Sequence, residues 1–272
     1  MCMSVRPSEM SNTKIYVGEA VYNEKYVHVL AYQNKAKTNE PNAMVLPLFT
    51  KEKVTENNVV DTSSFKDMLD LIFKPFTNEK LSRRLSFSAS KALVFTSGSY
   101  TIVLADNINE TVGALEQVPK NKRPIITKEF TETFGNVYSD YPVAICCWDG
   151  SITPEPLLWW YEPIEKDALM VPTMDSHDGH RLKVNAQVKM DHSIAVGSAI
   201  EPLLDGHQLN IDINSRYNKL MPISAKYVKI NGSYVNGDCM ASLVSLKKDK
   251  KPRLYKPYSE KCKIAQNYFD LI

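Results

Sequence analysis

The feature that most restricts the fold is a succession of short apolar runs, the first of them only imperfectly alternating, separated by turn-forming residues. The first two, "KIYVGEAV" (14–21) and "KYVHVLAY" (25–32), flank "YNE", and such a pair reads as antiparallel strands joined by a short turn. A third run, "AMVLPLF" (43–49), contains Pro47, whose missing amide donor suits an edge strand or a bulge. "KALVFTSGSYTIVLAD" (91–106) reads as two strands around Ser-Gly-Ser, and "YPVAICCWDG" (141–150) with "PEPLLWWYEP" (154–163) as strand, turn, strand. In "RLKVNAQVKMDHSIAVGSAI" (181–200) the alternation of Leu182, Val184, Ala186, Val188 and Met190 predicts a strand with one buried face. Asn231-Gly232 between β-rich halves is the strongest short-range hairpin signal in the chain.

Helical spacing is confined to short stretches. In "SSFKDMLDLIF", Phe65, Met68, Leu69, Ile72 and Phe73 fall on one helical face. "NETVGALEQV", "TKEFTETFGNVY" and the terminal "KIAQNYFDLI" are the other expected helices. The fold class is therefore α+β, a mainly antiparallel, mixed sheet with a few short helices in a single compact domain. Residues 1–13 are expected to form a mobile segment and 14–272 the domain, with sub-boundaries, if any, near 51–64 or 149.

The chain has 272 residues, 43% hydrophobic and 24% charged, enough for a sizeable core. Its 33 basic and 31 acidic side chains nearly cancel, so no overall positive field favours nucleic acid. Five cysteines without CxxC spacing fit neither a disulfide scaffold nor a zinc knuckle. With no signal-like apolar run or membrane-length segment, the expected setting is a reducing cytoplasm. Abundant Asn and Lys with only 10 Gly hint at an AT-rich genome and argue against Gly-rich phosphate loops; a virus- or phage-encoded origin is part of the binding-factor reading below.

Chemistry-bearing residues concentrate in "MDSHDGHRL" (174–182). Asp175, His177 and Asp178 are the catalytic candidates, and Asp175, His177, His180 and His192 the candidate ligands of a divalent metal, because imidazole and carboxylate are the donors such ions take. The spacing argues against convergence. Asp178-Gly179 is a turn dipeptide, and a straight strand over 181–190 would carry His192 about 30 Å from the loop. Trp159 and Trp160 must point to opposite faces of a strand, which leaves an aromatic anchor on the surface. Lys248, Arg253 and Tyr255, within "SLKKDKKPRLYKPYSEKCK", complete a candidate binding surface. No Walker loop, dinucleotide fingerprint, nucleophile elbow or HExxH string is present. A binding or protein-interaction factor is therefore the first reading, engaging a protein or small anionic ligand and capable of self-association. A small metal-dependent or acid–base hydrolase of phosphorylated or nucleotide-like substrates is the second.

Overall fold

A computed structural model describes residues 2–76, 94–211, 217–256 and 269–272. In chain order its strands are β1 (Cys2–Met3), β2 (Glu9–Tyr22), β3 (Lys25–Lys37), β4 (Asn42–Pro47), β5 (Val59–Val60), β6 (Val94–Ser97), β7 (Tyr100–Ala105), β8 (Val143–Trp148) and β9 (Leu157–Tyr161). There follow β10 (Ala168–Val171), β11 (Asp175–Ser176), β12 (Gln187–Ser198), β13 (His207–Gln208), β14 (Ser224–Val235), β15 (Cys239–Ser242), β16 (Arg253–Leu254) and β17 (Phe269–Asp270). The helices are α1 (Met68–Phe73), α2 (Thr111–Ala114), α3 (Lys128–Tyr138) and α4 (Leu243–Lys248). Strands dominate and the helices are short, a more sheet-rich balance than a typical α+β domain.

Seven strands form the central sheet in the order β13-β14-β12-β2-β3-β9-β5, and four form a second sheet, β4-β8-β7-β6. Alternate residues of the central sheet serve two different cores. Ile15, Val17, Leu30, Tyr32, Trp159, Ile194 and Val196 join the side chains of the second sheet and Phe130, Phe134 and Tyr138 of α3. Tyr16, Val27, Val29, Leu158, Ala195 and Tyr227 face Met68, Leu69, Ile72 and Phe73 of α1. Burial on both faces explains why these strands read as apolar runs rather than clean alternation.

The centre of the sheet is a parallel seam, β12 on β2, from His192–Thr13 to Ser198–Glu19. Gly18 and Gly197 are partners in it, and the Tyr16 ring fills the space their missing side chains leave. A Cβ on Gly18 would lie 2.4 Å from the Tyr16 hydroxyl and 2.6 Å from the Gly197 carbonyl oxygen. At the end of the seam Glu19 is almost fully buried. Its carboxylate accepts from Ser198 Oγ (2.8 Å) and Tyr26 OH (2.9 Å), and Lys247 of α4 bridges it to Glu201 at 2.8 and 2.7 Å.

Several local expectations hold. The β2–β3 and β6–β7 hairpins form as read, and Pro47 ends an edge strand. The helix expected in "TKEFTETFGNVY" forms as α3, and the structure adds a cap at Thr127, whose Oγ1 accepts from Phe130 N. Others are corrected. Residues 1–13 were expected to be mobile, yet Met3 and Val5 are fully buried and β1 pairs with β11. β8 and β9 belong to different sheets rather than one hairpin. Asn231-Gly232 is not a turn: β14 runs through it in unbroken register with β12, the continuous ladder overriding the local turn preference, with Gly232 at φ +134°. The predicted strand at 181–190 starts only at Gln187. Most of the expected terminal helix lies outside the described residues, and Phe269–Asp270 at its end is a strand paired with Arg253–Leu254. Among the described residues, no helix is long and apolar enough to cross a membrane.

Substituting Gly18→Ala forces a methyl group against a backbone carbonyl that cannot rotate away. A loss of about 2–3 kcal/mol is expected, read as a fall of roughly 5–10 °C in Tm. The double variant Gly18→Ala, Tyr16→Phe should not recover it, because the Gly197 oxygen remains in place.

Candidate functional site

The parallel bridge of β11 on β1 sets Asp175 opposite Cys2 at the end of the central sheet. Its main chain is fixed by Asn236, which accepts from Asp175 N at 2.8 Å and donates Nδ2 to Asp175 O at 2.7 Å. The chain just before it is held by Asp238, whose buried carboxylate accepts from Thr173 N, Met174 N and Tyr138 OH at 2.8–2.9 Å. Burial pushes the Asp238 carboxyl up despite these donors.

Two imidazoles meet at the Asp175 carboxylate. His177 Nε2 lies 2.8 Å from Oδ1 and His192 Nε2 lies 3.5 Å from Oδ2. The side chains of Asp175 and His192 are 7% and 1% exposed, and that of His177 is 29%. Burial alone would raise the Asp175 carboxyl, but hydrogen bonds and charge from both histidines outweigh it and hold the group at about 2. The convergence of His192 with the loop corrects the 30 Å separation expected from a straight strand. Residues 181–186 fold back instead of extending, and Asn185 and Ala186 bond with Asn236.

The other candidates diverge. Asp178 accepts from His180 N and Lys183 Nζ, both at 3.0 Å, on the surface. His180 Nδ1 stands 3.9 Å from Glu129 of α3. Among the described residues, no three His, Cys, Asp or Glu side chains are disposed to hold a metal ion. The ligand set Asp175, His177, His180 and His192 is accordingly not assembled: His180 lies apart, and the Nε2 atoms of His177 and His192 address opposite oxygens of one carboxylate. Chemically the cluster is a hydrogen-bonded junction between β11 and β12 with one partly open imidazole.

A second site lies at β9. Trp159 is fully buried between the sheets, whereas Trp160, on the opposite face, is half-buried. Its ring packs on Tyr22 with centroids 5.2 Å apart, and its Nε1 donates to Asn57 O at 3.0 Å. Beside it opens a cavity of about 190 Å³ lined by Thr50, Glu52, Lys53, Val54 and Asn58. The loop carrying these residues is tied to β9, with Asn58 Nδ2 donating to Trp160 O at 3.0 Å and Thr50 Oγ1 to Glu162 O at 2.6 Å. Outward Trp160 beside inward Trp159 is what strand alternation requires. The flanking loop, contributed from about a hundred residues earlier in the chain, carried no signal in the sequence.

Among the described residues of the basic segment, 245–256, several charges are engaged within the fold, and its remainder, 257–263, lies outside the described residues. Lys247 is held by Glu19 and Glu201, Arg253 pairs with Asp270 at 2.7 Å, and Lys256 is buried and donates to Gly237 O at 2.9 Å. Tyr255 OH points to Met240 Sδ. Lys248, Lys250 and Lys251 remain exposed.

The depressed Asp175 carboxyl fixes a pH dependence. Its folded-state value lies below the unfolded one, so its stabilisation is present above about pH 4 and is lost as pH falls toward 2. At neutral pH the shift corresponds to about 2 kcal/mol. Asp175→Asn, which sets an amide donor against imidazole donors, should lower Tm by several degrees at pH 7 and flatten the acid limb of the stability profile between pH 4 and 2. An unchanged acid limb would show that the carboxylate does not carry it.

No protein-family model matches the chain, and no curated protein matches it. Among solved structures, the crystal structure of baculovirus P35 aligns over 97% of this chain and 97% of that chain, with a TM-score of 0.44 and 12% sequence identity.

Proposed function

We propose that the protein is a protein-interaction factor that engages its partner through the Trp160 cleft. The supporting observation is the half-buried Trp160 beside a small cavity at a strand of the central sheet. Its volume of about 190 Å³ falls below the roughly 300–1,000 Å³ of small-molecule sites and suits one side chain of a protein ligand. Tryptophans in such settings are over-represented among the residues that dominate binding energy. A hydrolase working through "DSHDGH" is less well supported, because Asp175 and His192 are buried, His177 is turned onto Asp175, and Asp178 and His180 point away.

Selection of peptides from a displayed random library against the immobilised protein tests the reading. Binders should share a recurrent bulky side chain, and Trp160→Ala should weaken them at least tenfold while Lys248→Ala leaves them unchanged. Affinities equal in wild type and Trp160→Ala, with both proteins folded, would remove the cleft from consideration.

A further inference from the structure

We propose that β14 is a self-pairing edge, to which a second copy of this chain adds its own β14, antiparallel, across a two-fold axis at Asn231. β14 pairs with β12 over its whole length in unbroken register. In an antiparallel ladder, successive residues turn their main-chain N–H and C=O to opposite sides. The groups already bound on the outer side fix which residues turn outward. Ile223 O accepts from Leu209 N at 2.9 Å, Ala225 pairs with His207 of β13, and Tyr227 exchanges two bonds with Ile272 at 2.7 and 3.0 Å. The next outward residues are Lys229, Asn231 and Ser233. Among the described residues, no main-chain group bonds to their outward N–H and C=O, and all three, with Gly232, are exposed. The C-terminal chain touches the edge at Ile272 and then leaves it, with Asp270 paired to Arg253 and the Phe269 ring packed on Tyr234 at 5.2 Å between centroids.

Open edges are normally blunted by bulges, prolines or charged side chains. From 229 to 233, β14 has no bulge and no proline, and its single charge, Lys229, selects a register rather than blocking the edge. The string Lys-Ile-Asn-Gly-Ser (229–233) is complementary to itself when two copies run antiparallel about Asn231. Lys229 then faces Ser233 of the second copy, Asn231 faces its own counterpart, and each facing pair exchanges two main-chain hydrogen bonds. Centring on Lys229 instead would set two lysines face to face and Asn231 against Tyr227, whose groups Ile272 already holds. On the adjoining strand the residues opposite Lys229, Asn231 and Ser233 are Ser193, Asp191 and Lys189, so the surface around the axis is polar and mixed in charge. A ribbon of this length buries well under the roughly 1,200 Å² of a standard interface. Association is therefore weak and depends on concentration.

Sedimentation equilibrium of the full chain over a wide range of concentration tests the pairing. The average mass should climb from that of one chain toward that of two, Asn231→Pro should stay at one, and Trp160→Ala, in the separate cleft, should follow the wild type. The proline removes only an outward N–H, so the ladder with β12 keeps its bonds. Ser233→Glu sets a carboxylate opposite Lys229 of the second copy on both sides of the axis and should tighten association several-fold, an effect that salt removes. Asn231→Cys gives a readout independent of equilibrium mass. Residues that face each other in this way stand about 5.5 Å apart at Cα, within disulfide reach. Oxidised glutathione should therefore link two Asn231→Cys chains, while the wild type and Lys128→Cys, exposed on α3, stay single. One-chain mass at every concentration overturns the proposal. So does self-association that Asn231→Pro leaves unchanged, or cross-linking of Asn231→Cys no faster than that of Lys128→Cys.

Discussion

The parallel seam between β2 and β12 is the constraint on which the remaining architecture depends. It joins two strands far apart in sequence, and it closes only because Gly18 and Gly197 let the backbones and the Tyr16 ring share one layer. Once closed, it supplies two opposed faces, one for the second sheet and α3 and one for α1. Both candidate sites are set by this sheet: Trp160 by the register of β9 on β3, and the imidazole–carboxylate junction by the end of β12 that carries His192.

Local pattern was enough to read the hairpins, the edge position of Pro47 and the opposition of Trp159 and Trp160, since each depends on side-chain period or on the chemistry of one residue. Elements whose fate depends on distant partners were not readable. The turn preference of Asn231-Gly232 is real, but it acts within a strand whose ladder with β12 is continuous, so many weak pairings outweigh one local bias. "YPVAICCWDG" and "PEPLLWWYEP" have the spacing of a hairpin, and no local signal shows that each pairs with other strands, in different sheets.

The same distinction separates the parts of the candidate site. Asp175 and His177 lie two residues apart, a spacing that sets both on one side of an extended segment, and their side chains meet. His192 is a candidate ligand by residue type alone, while its position hinges on residues 181–186 turning back onto Asn236. Asn236 and Asp238, which fix the main chain of 173–175, were not anticipated at all, since a polar residue beside glycine reads as loop until its hydrogen-bond partners are seen. Charge density misled in the opposite direction. Clustering in sequence suggested a basic surface, yet Lys247, Arg253 and Lys256 are each engaged in holding the fold together.

Lys247 has a consequence for how the chain is made. Its partner Glu19 lies more than two hundred residues upstream and is almost fully buried. A growing chain carries that carboxylate long before the cation that balances it exists, and β2 likewise waits for β12. The end of the central sheet stays electrically incomplete until Lys247 has emerged. Assembly of this molecule is consequently a late, long-range event rather than a stepwise accretion from the N-terminus.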